Sequence, residues 1–279
     1  MLSTLENPEL TAAATESDAS APQAANTAAN KPTTLKVLTV NVHKGFTIFN
    51  RRFILPELRD AVRSEHVDIV FLQEVIGSDE KHSARFPDWP DLPQYEFLAD
   101  TIWPDFAYGK NAVYPHGHHG NAVLSKFPIL HSENRDVSMD THEKRGLLHC
   151  EMALPGRSDR LHVICAHLGL REGHRLSQLL LLERMIQTKI PPTDALIVAG
   201  DFNDWRMLGH KLMTHRFKLH EVFAGRGGKP ARTFPVRWPR LRLDRIYVRN
   251  IVVRNAKVLS RRPWSHLSDH AALMTELVL

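Results

Sequence analysis

Short apolar runs of strand length recur throughout residues 35–279, and this repetition limits the possible folds more than any other feature of the sequence. Continuous apolar runs are typical of strands buried on both faces, whereas alternating runs are typical of strands with one exposed face. Long stretches of successive strands predict mixed, largely antiparallel sheets with helices outside. The runs are LKVLTVN (35–41), DIVFLQE (68–74), GNAVLSKFPI (120–129), LLHCEMAL (147–154), LHVICAHL (161–168), ALIVAGDF (195–202), RLDRIYV (242–248) and AALMTELVL (271–279).

Two segments have helical rather than strand periodicity. Residues 51–66 place apolar side chains on one helical face, and residues 175–190 form the longest helix candidate. Strands and helices do not alternate in the strict βαβ order of a doubly wound sheet. Because no internal repeat and no Pro/Gly linker divides residues 35–279, they are predicted to form one domain.

Residues 1–34 differ from the rest of the chain in composition. They contain nine alanines and no aromatic residue, so they bury too little apolar surface to offset the entropy of ordering and are expected to be disordered. A secretory signal needs a basic start and an apolar centre, but here four acidic residues precede Lys31, the first basic residue. We therefore expect a cytoplasmic location.

The remainder of the chain is basic. Residues 35–279 contain 35 Lys and Arg against 27 Asp and Glu, and the whole chain has a net charge of +5. This charge favours an anionic partner, such as nucleic acid, phospholipid or a phosphorylated small molecule. Cys150 and Cys165, the only cysteines, lie in apolar runs, so we expect buried free thiols and neither a disulfide nor a cysteine-based zinc site.

Polar side chains border the apolar runs. Taken singly, an Asp or Asn after a strand is common in turns, and a lone histidine there is more often a satisfied residue than a catalyst. Several such residues beside buried runs favour a shared, partly buried edge, where the groups pair with one another and with a metal ion because unpaired charge is unfavourable. The residues are Asn41, Glu74, His167, Asp201, Asn203, Asp244, Asp269 and His270.

The motifs around these residues resemble those of a known superfamily. In chain order they are NVHKG (41–45), LQEV (72–75), GNAVLS (120–125), AHLG (166–169), GDFND (200–204), LDRIYV (243–248) and SDHAAL (268–273). This ordered set resembles the endonuclease/exonuclease/phosphatase superfamily, which has the DNase I-like fold, and the whole of residues 35–279 is similar to its bacterial YbhP-like branch. The resemblance implies a four-layered α/β (α+β) sandwich: two packed mixed β-sheets flanked by helices.

The resemblance also implies a divalent metal site. Mg²⁺ takes oxygen ligands, often one or two carboxylates together with waters and a substrate phosphate. Glu74 matches the metal ligand of the superfamily's LQE motif, Asn41 would support the same ion or the phosphate, and Asp269 would complete the metal shell. Mg²⁺ is the expected cofactor, with Mn²⁺ as the alternative.

The other motif residues take catalytic roles by the same resemblance. His270 would meet Asp244, which would fix its tautomer and stabilise its charged form. A protonated His270 would stabilise charge on the phosphate, and a neutral one would take a proton from water. Asp201 would position or deprotonate the attacking water, and Asn203 would donate to a phosphate oxygen. His167 would be the general acid for the leaving group.

Three histidines precede another superfamily motif in HGHHGNAVL (116–124). Adjacent histidines in a strand point to opposite faces, so at most one of His118 and His119 would face the site. A structural or phosphate-contacting role is favoured over a transition-metal site for these two and for His116. The resemblance places Asn121 in a GN turn, from which it would reach the substrate phosphate.

A segment without acidic residues connects Glu221 to Asp244. Its prolines favour a stiff loop over a helix, and its basic and aromatic side chains suit a nucleic-acid strand or a phosphorylated head group. A solvated loop is the alternative. Because the segment leads directly into the Asp244 strand, we predict that it faces the substrate, with Arg232 and Arg242 as substrate contacts. The basic and aromatic residues are Arg226, Lys229, Arg232, Phe234, Arg237, Trp238, Arg240 and Arg242.

Three functions are compatible with these features. The preferred one is a Mg²⁺-dependent phosphodiesterase acting on nucleic acid, a nuclease in the broad sense. The alternative is a hydrolase of phospholipid or inositol phosphate head groups with peripheral membrane contact, although no long apolar hairpin for bilayer insertion is evident. A non-catalytic binding module is disfavoured because every catalytic-type position is filled. Substrate class, cleavage polarity, the number of metal ions and the oligomeric state are left open by the sequence.

Overall fold

The computed structural model describes residues 32–47, 52–225 and 228–279. The predicted disordered segment falls almost entirely on residues 1–31, which lie outside the described residues. The first strand begins at Thr34, and the backbone of Thr33 exchanges two hydrogen bonds with that of Leu279. Regular pairing therefore starts one residue before the predicted boundary and joins the first strand to the last.

Twelve strands in the described residues form two mixed sheets. The first sheet contains β1 (Thr34–Asn41), β2 (Ile69–Asp79), β3 (Asp105–Tyr114), β4 (Gly117–Ser125), β11 (Val252–Leu259) and β12 (Ala272–Val278). The second contains β5 (Ile129–Asp136), β6 (Gly146–Ala153), β7 (Arg160–His167), β8 (Ala195–Asp201), β9 (His220–Glu221) and β10 (Asp244–Arg249).

Each sheet has one parallel strand pair among antiparallel ones. The first has the order β11–β12–β1–β2–β4–β3, with β1 and β2 parallel. The second has the order β5–β6–β7–β8–β10–β9, with β7 and β8 parallel. The two parallel pairs lie near the middle of their sheets, so their strand ends are covered by neighbours on both sides.

Helices cover the outer faces of both sheets. The described chain contains α1 (Leu55–Ser64), α2 (Glu80–Arg85), α3 (Gln94–Ala99), α4 (Glu172–Lys189) and α5 (Leu208–Lys211), with a π-helical turn at Leu212–Arg216 and 3₁₀ turns at His43–Gly45 and Trp264–His266. In the ranges that the structure describes, no helix combines the length and apolarity needed to cross a membrane.

Three apolar cores separate the layers. The central core lies between the sheets and includes Val37 and Phe71 from the first and Val163 and Ile197 from the second. A second core packs α1 and α3 on the first sheet, and a third packs α4 on the second sheet. The order of layers is therefore helices, sheet, sheet, helices, which confirms the predicted four-layered sandwich.

Most of the predicted elements are present. Both helices occur, at Leu55–Ser64 and Glu172–Lys189, and every predicted apolar run contains a strand. The run at 120–129 is divided, because β4 ends at Ser125 and β5 begins at Ile129. Strands β3, β5, β9 and β11 were missed; each lies at the edge of a sheet and exposes many of its side chains, so the apolar signal is weak there. Both cysteines are buried free thiols, as expected.

A buried histidine pair lies between β6 and β7, outside the strand ends considered below. Nε2 of His149 is 3.0 Å from Nδ1 of His162, whose Nε2 is 3.2 Å from the carboxylate of Asp194. Burial, assisted by the neighbouring His162, lowers the pKa of His149 from 6.5 to about 4. Charging this ring in the folded protein is therefore unfavourable.

The lowered pKa of His149 leads us to expect that the folded protein loses stability in mild acid. Between pH 6.5 and about 4 the folded protein binds fewer protons at His149 than the unfolded chain, so stability present above pH 6.5 is lost as the pH falls. The loss is about 3 kcal/mol at most. His149→Gln should flatten the dependence of the urea midpoint on pH in this window. His142→Gln, at an exposed histidine, is the control, and identical slopes for His149→Gln and the unsubstituted protein would contradict the prediction.

Candidate active site

Polar side chains from both sheets meet at one edge of the sandwich. In the first sheet Asn41 ends β1 and pairs with Gln73 of β2. Glu74 directly follows Gln73. In the second sheet His167 pairs with Asp201, and Asp201 pairs with Asp244. The register therefore aligns three of the predicted residues in a row across β7, β8 and β10.

The amide of Asn41 connects the two sheets. Its Nδ2 donates to Oε1 of Glu74 at 3.4 Å and to Oδ2 of Asp201 at 3.3 Å. Its Oδ1 accepts a hydrogen bond of 3.0 Å from the backbone N–H of His43. Glu74 and Asp201 belong to different sheets, so this one buried side chain places their carboxylates beside each other.

Gly200 permits the close approach of β7 and β8 at this edge. Its φ is +142°, and a Cβ there would lie 2.0 Å from the carbonyl oxygen of Ala166. A side chain at this position would push apart the two strands next to His167 and Asp201. The glycine of GDFND is therefore needed for the geometry of the site.

The Asp–His pair of the last motif faces this row. Nδ1 of His270 is 2.8 Å from Oδ2 of Asp244, and its Nε2 is 3.9 Å from Oδ2 of Asp201. Burial opposes a charged ring, but the Asp244 and Asp201 carboxylates outweigh it and raise the pKa of His270 to about 10. The hydroxyl of Ser268 donates to the carbonyl of Asn41 and accepts from the backbone N–H of His270. Of the two protonation states left open by the sequence, the structure favours the imidazolium.

Asp201 has an unusually basic carboxylate for an aspartate. Burial raises its pKa; His270 counteracts this and Asp244 adds to it, with a result of about 6. Its Oδ1 accepts a hydrogen bond of 2.9 Å from the backbone N–H of Asn203. The group is thus held in place and can accept a proton near neutral pH.

Glu74 has a lowered pKa, in contrast to the raised pKa of Asp201. It lies in an irregular part of β2, between Leu72 and Val75, and has a φ of +58°. Bulges of this kind redirect a side chain out of the regular strand pattern. Burial by itself raises the pKa of Glu74, but nearby basic side chains, Lys44 among them, and the hydrogen bond from Asn41 outweigh it and lower the pKa to about 2. Glu74 is therefore a partly buried carboxylate that is ionised at neutral pH.

His167 and Asn203 complete the polar wall. Nε2 of His167 is 3.7 Å from Oδ2 of Asp201. Burial and the charge of Arg145 lower the pKa of His167 well below its usual range, so the ring is neutral. The side-chain amide of Asn203 donates to the carbonyl of Leu168 at 2.9 Å, which fixes the amide next to His167.

Two groupings of these residues have the chemistry of a metal site. Ligand atoms of Asp201, Asp244 and His270 all lie within 4.8 Å of one another. However, His270 is protonated and already bonded to Asp244, so it is a poor metal ligand. The ionised Glu74 supplies carboxylate oxygens of the kind that Mg²⁺ prefers, and Asn41 holds this carboxylate through a hydrogen bond from its amide nitrogen. This second grouping fits a hard divalent cation better.

Asp269 lies at the margin of this grouping. Its Oδ1 is 3.5 Å from Nδ1 of His43 and accepts a hydrogen bond of 3.3 Å from the hydroxyl of Ser268. These contacts tie it to the turn that follows Asn41. Its place in a metal shell remains a prediction.

The site opens into a cavity of about 450 Å³ that contains both Glu74 and His270 in its lining. The distant motifs therefore converge as the sequence predicted. Several lining residues were missed, because an arginine before a strand and apolar residues in loops carry no distinctive sequence signal. The lining residues are Glu74, Arg145, His167, Leu170, Asp201, Asn203, Trp205, Phe234, Leu241, Leu243 and His270.

Arg145 is the charged residue among those missed. Its Nε donates to the carbonyl of Leu168, and one terminal nitrogen donates to Glu143. It stands at the start of β6, directly before Gly146, and so faces the same edge as His167. Its guanidinium adds positive charge to the cavity wall.

The structure does not bring Asn121 to the cavity. The side chain is 0% exposed, and its Nδ2 donates to the backbone carbonyls of Gly146 and Cys165 at 2.9 and 3.3 Å. It thus ties β4 of the first sheet to β6 and β7 of the second. The expectation that Asn121 reaches the substrate phosphate does not fit this burial, and its role is to join the sheets.

The neighbouring histidines divide as strand geometry requires. The ring of His119 interacts electrostatically with Glu74, and burial with the charge of Lys44 lowers its pKa to about 4. Nδ1 of His118 is instead 2.9 Å from the hydroxyl of Tyr108. Nδ1 of His116 is 3.6 Å from Oε2 of Glu80. These separate partners do not form a shared metal site.

The basic loop lies against the site through its backbone and its apolar side chains. The N–H of Val236 donates to the carbonyl of Asp269, and the Phe234 ring lies 5.0 Å from the His270 ring. Phe234 and Leu241 line the cavity, but Arg232 and Arg242 do not. Nε of Arg242 donates to the carbonyl of Pro230, and Arg232 is exposed. The predicted substrate contacts of these two arginines would therefore lie outside the cavity.

Comparisons with known proteins agree with this geometry. Residues 38–270 match the Endonuclease/Exonuclease/phosphatase family. The YbhP protein of Escherichia coli strain K12 is 57% identical over 244 residues, which are 88% of this chain and 96% of that protein.

Two solved structures share the fold. One is a mannosyl-6-phosphatase of Bacteroides thetaiotaomicron, with a TM-score of 0.65 and 17% identity over 88% of this chain and 100% of that one. The other is D. rerio TDP2 complexed with a single-strand DNA product, with a TM-score of 0.63 and 19% identity over 88% of this chain and 99% of that one. The family match, the close relative and the shared fold lead to one conclusion: this chain belongs to the endonuclease/exonuclease/phosphatase family and is a hydrolase of phosphate esters.

Proposed function

We propose that this protein is a divalent-metal-dependent phosphodiesterase that cleaves nucleic acid. The main support for the proposal is that one cavity contains a negatively charged carboxylate, Glu74, and a positively charged imidazolium, His270. Hydrolysis of a phosphate diester needs a group that holds a cation, a base for water, and a donor that neutralises charge on the phosphate. The cavity contains a candidate for each.

The cation would be held by Glu74, with Asn41 beside it and Asp269 as a further ligand. Mg²⁺, or Mn²⁺ in its place, would neutralise charge on the phosphate oxygens. The partly buried, ionised carboxylate of Glu74 and the hydrogen bond that orients it support this assignment.

The residues around the cation site would move and hold protons. Asp201, whose raised pKa favours proton uptake, would position the attacking water and accept its proton. His270, kept charged by Asp244, would donate a hydrogen bond to a phosphate oxygen as negative charge develops. Asn203 would donate to another phosphate oxygen.

His167 needs a different role from the one expected from the resemblance. Its pKa is lowered well below the usual range, so it carries no proton to give as an imidazolium. A neutral imidazole still has one N–H, which can donate to the leaving oxygen without transferring its proton. We therefore assign His167 to the binding of that oxygen and not to general acid catalysis.

Charge supports nucleic acid as the substrate. The chain has a net charge of +5, and Arg145 lines the cavity. The D. rerio structure with a single-strand DNA product shows that one protein of this fold holds such a molecule, while the mannosyl-6-phosphatase shows that the fold also serves a sugar phosphatase. Phospholipid and inositol phosphate substrates remain the alternative. The expected cytoplasmic location is part of the same proposal and agrees with a nucleic-acid substrate.

Removal of the metal should abolish activity. We expect the protein to hydrolyse bis-p-nitrophenyl phosphate with Mg²⁺ or Mn²⁺ and to lose this activity in EDTA, with recovery when the metal is restored. Glu74→Gln should lower kcat/KM by on the order of 10²–10⁴ and raise the Mg²⁺ concentration needed for half-maximal rate. Glu276→Gln, which removes a carboxylate from a surface ion pair with Arg254, is the control. Full activity of Glu74→Gln in EDTA would contradict the metal assignment.

His270 and Asp244 should behave as one unit. His270→Ala and Asp244→Asn should each lower kcat by on the order of 10² or more, because the carboxylate acts through the imidazolium. The kcat of the double variant should be less than about 10-fold below that of His270→Ala, because the effects of substituting two residues that act together are not additive. His215→Ala, at an exposed histidine, should keep full activity. Independent, multiplicative losses would show that the two residues act separately.

A substrate panel separates nucleic acid from its alternatives. Single-stranded DNA, plasmid DNA, RNA, phospholipid vesicles, inositol phosphates and mannose 6-phosphate would be compared under identical metal conditions. We expect the highest kcat/KM for a polynucleotide, with log KM rising steeply with log salt because phosphate contacts release counterions. Faster hydrolysis of any monoester or lipid would replace nucleic acid as the assigned substrate while leaving the phosphoesterase assignment intact.

A further inference from the structure

Exposed apolar side chains surround the mouth of the catalytic cavity. Leu170 is 66% exposed, Trp205 49% and Leu241 37%, and all three line the cavity that contains Glu74 and His270. Scattered surface leucines need no explanation, but exposed apolar residues gathered around a charged cavity mark a binding surface. We call these three residues the apolar rim.

Trp205 is presented on a rigid support. The preceding residue, Asp204, is buried, and its carboxylate accepts a hydrogen bond of 2.8 Å from Arg245, which is also buried. A second nitrogen of the same guanidinium donates to the backbone carbonyl of Asp204 at 2.5 Å. The N–H of His210 donates to the same carboxylate at 2.8 Å. The backbone next to Trp205 is thus clamped, so its exposure is not the result of a loose loop.

The ring itself is pre-oriented. The guanidinium of Arg206 lies over the indole of Trp205, 4.6 Å from the ring centroid. This cation–π contact limits the rotation of the side chain. An indole held at the edge of a cavity loses little conformational entropy when a second flat group stacks on it.

The other rim residues are anchored in the same way. The backbone N–H of Leu170 donates to Glu143, and its carbonyl accepts from Arg175. Leu241 pairs with Phe234 in an isolated β-bridge, and the Phe234 ring continues inward to His270 at 5.0 Å. One wall of the cavity is therefore apolar from the surface down to the catalytic histidine.

A ligand that fills this cavity needs two parts. Its phosphate would lie on the polar floor, beside Glu74, Asp201 and His270. The group attached to that phosphate would lie against Trp205 and the other rim residues. A sugar ring can lay the C–H groups of one face on an indole, whereas a nucleobase is planar and stacks its whole π-face on indole regardless of base identity.

We infer that Trp205 is a stacking platform for the nucleobase next to the scissile phosphate, which makes unpaired polynucleotide the preferred substrate. This inference rests on the proposed phosphodiesterase function and specifies its substrate class. A base stacked within a double helix has no free face, so duplex DNA would have to unpair before it could use the platform. Arg206 and Arg145 contact Glu172 and Glu143, and they would supply positive charge to the flanking phosphates by exchanging these contacts for phosphate oxygens.

The kinetic test compares two diesters with the same leaving group. Thymidine 5′-(p-nitrophenyl phosphate) has a base, and methyl p-nitrophenyl phosphate does not. The unsubstituted protein should prefer the thymidine diester in kcat/KM by roughly 10-fold or more. Trp205→Ala should reduce this ratio by about the same factor, and Trp205→Phe should keep most of it. An equal loss on both diesters would mean that Trp205 is only structural.

Trp238 provides a matched control. It is 71% exposed, belongs to the neighbouring basic loop, and is not among the described residues that line the cavity. Trp238→Ala therefore removes an exposed indole of the same kind without touching the rim. It should leave the ratio between the two diesters unchanged, and an equal effect of both substitutions would overturn the assignment to Trp205.

A binding test works without turnover. The His270→Ala protein would be titrated into fluorescently labelled oligothymidylate and into an abasic oligonucleotide of equal length and charge, with fluorescence anisotropy as the readout. Oligothymidylate should bind roughly 10-fold more tightly, and the added Trp205→Ala change should remove the difference. If neither diester is hydrolysed but this difference in binding is found, the proposed function fails and the platform stands. If both diesters are hydrolysed and the two oligonucleotides bind equally, the platform fails and the proposed function stands.

The rim has one other possible occupant, a lipid surface. Vesicles of phosphatidylcholine and phosphatidylglycerol would be tested by co-sedimentation with the full chain. We expect no binding that depends on Trp205, because three separate rim residues give much less apolar surface than a membrane-inserting segment. Vesicle binding that is lost in Trp205→Ala would assign the rim to lipid and overturn the inference.

Discussion

Three neighbouring carboxylates, two buried and one partly buried, are the constraint on which this site depends. Glu74, Asp201 and Asp244 lie within a region closed by two sheets, where charge is poorly solvated. The positive charge around these three carboxylates is unevenly distributed. His270 lies between two of them and stays protonated, whereas Glu74 has only more distant positive charges and the amide of Asn41. The unequal balance separates a protonated side of the cavity, at His270, from an ionised side, at Glu74, where the proposed cation would bind.

The sandwich architecture creates this separation. Glu74 and Asn41 belong to the first sheet, at β1 and β2, and Asp201 and Asp244 belong to the second sheet, at the end of β8 and the start of β10. His270 comes from the segment before β12 of the first sheet and reaches across to Asp244. Asn41 and Ser268 are the hydrogen-bonded connections between the two sides. A phosphate that lies between the sheets can therefore meet a cation on one side and an imidazolium on the other.

The surroundings of the site add selectivity to this chemistry. The buried ion pair of Arg245 and Asp204 contributes nothing to the cavity floor, yet it holds the turn that follows GDFND. Buried pairs of this kind are often retained for a defined geometry more than for stability. Here the defined geometry places Trp205 at the cavity mouth, near Asp201 and Asn203 in the sequence and in the same cavity lining as His270.

The sequence by itself indicated the buried strands and the polar residues at their ends, and its resemblance to the superfamily implied the four layers. Apolar periodicity reports how deeply each segment is buried, and a polar residue directly after a buried strand must lie at its edge, which explains the correct placement of Asn41, His167 and Asp201. Only the tertiary structure decided what lies across from them. It buried Asn121 between the sheets, directed Arg242 to a backbone carbonyl, and brought Arg145, Phe234 and Trp205 to the cavity. These outcomes depend on contacts between segments far apart in the chain, and local periodicity contains no information about which distant segment a side chain will meet.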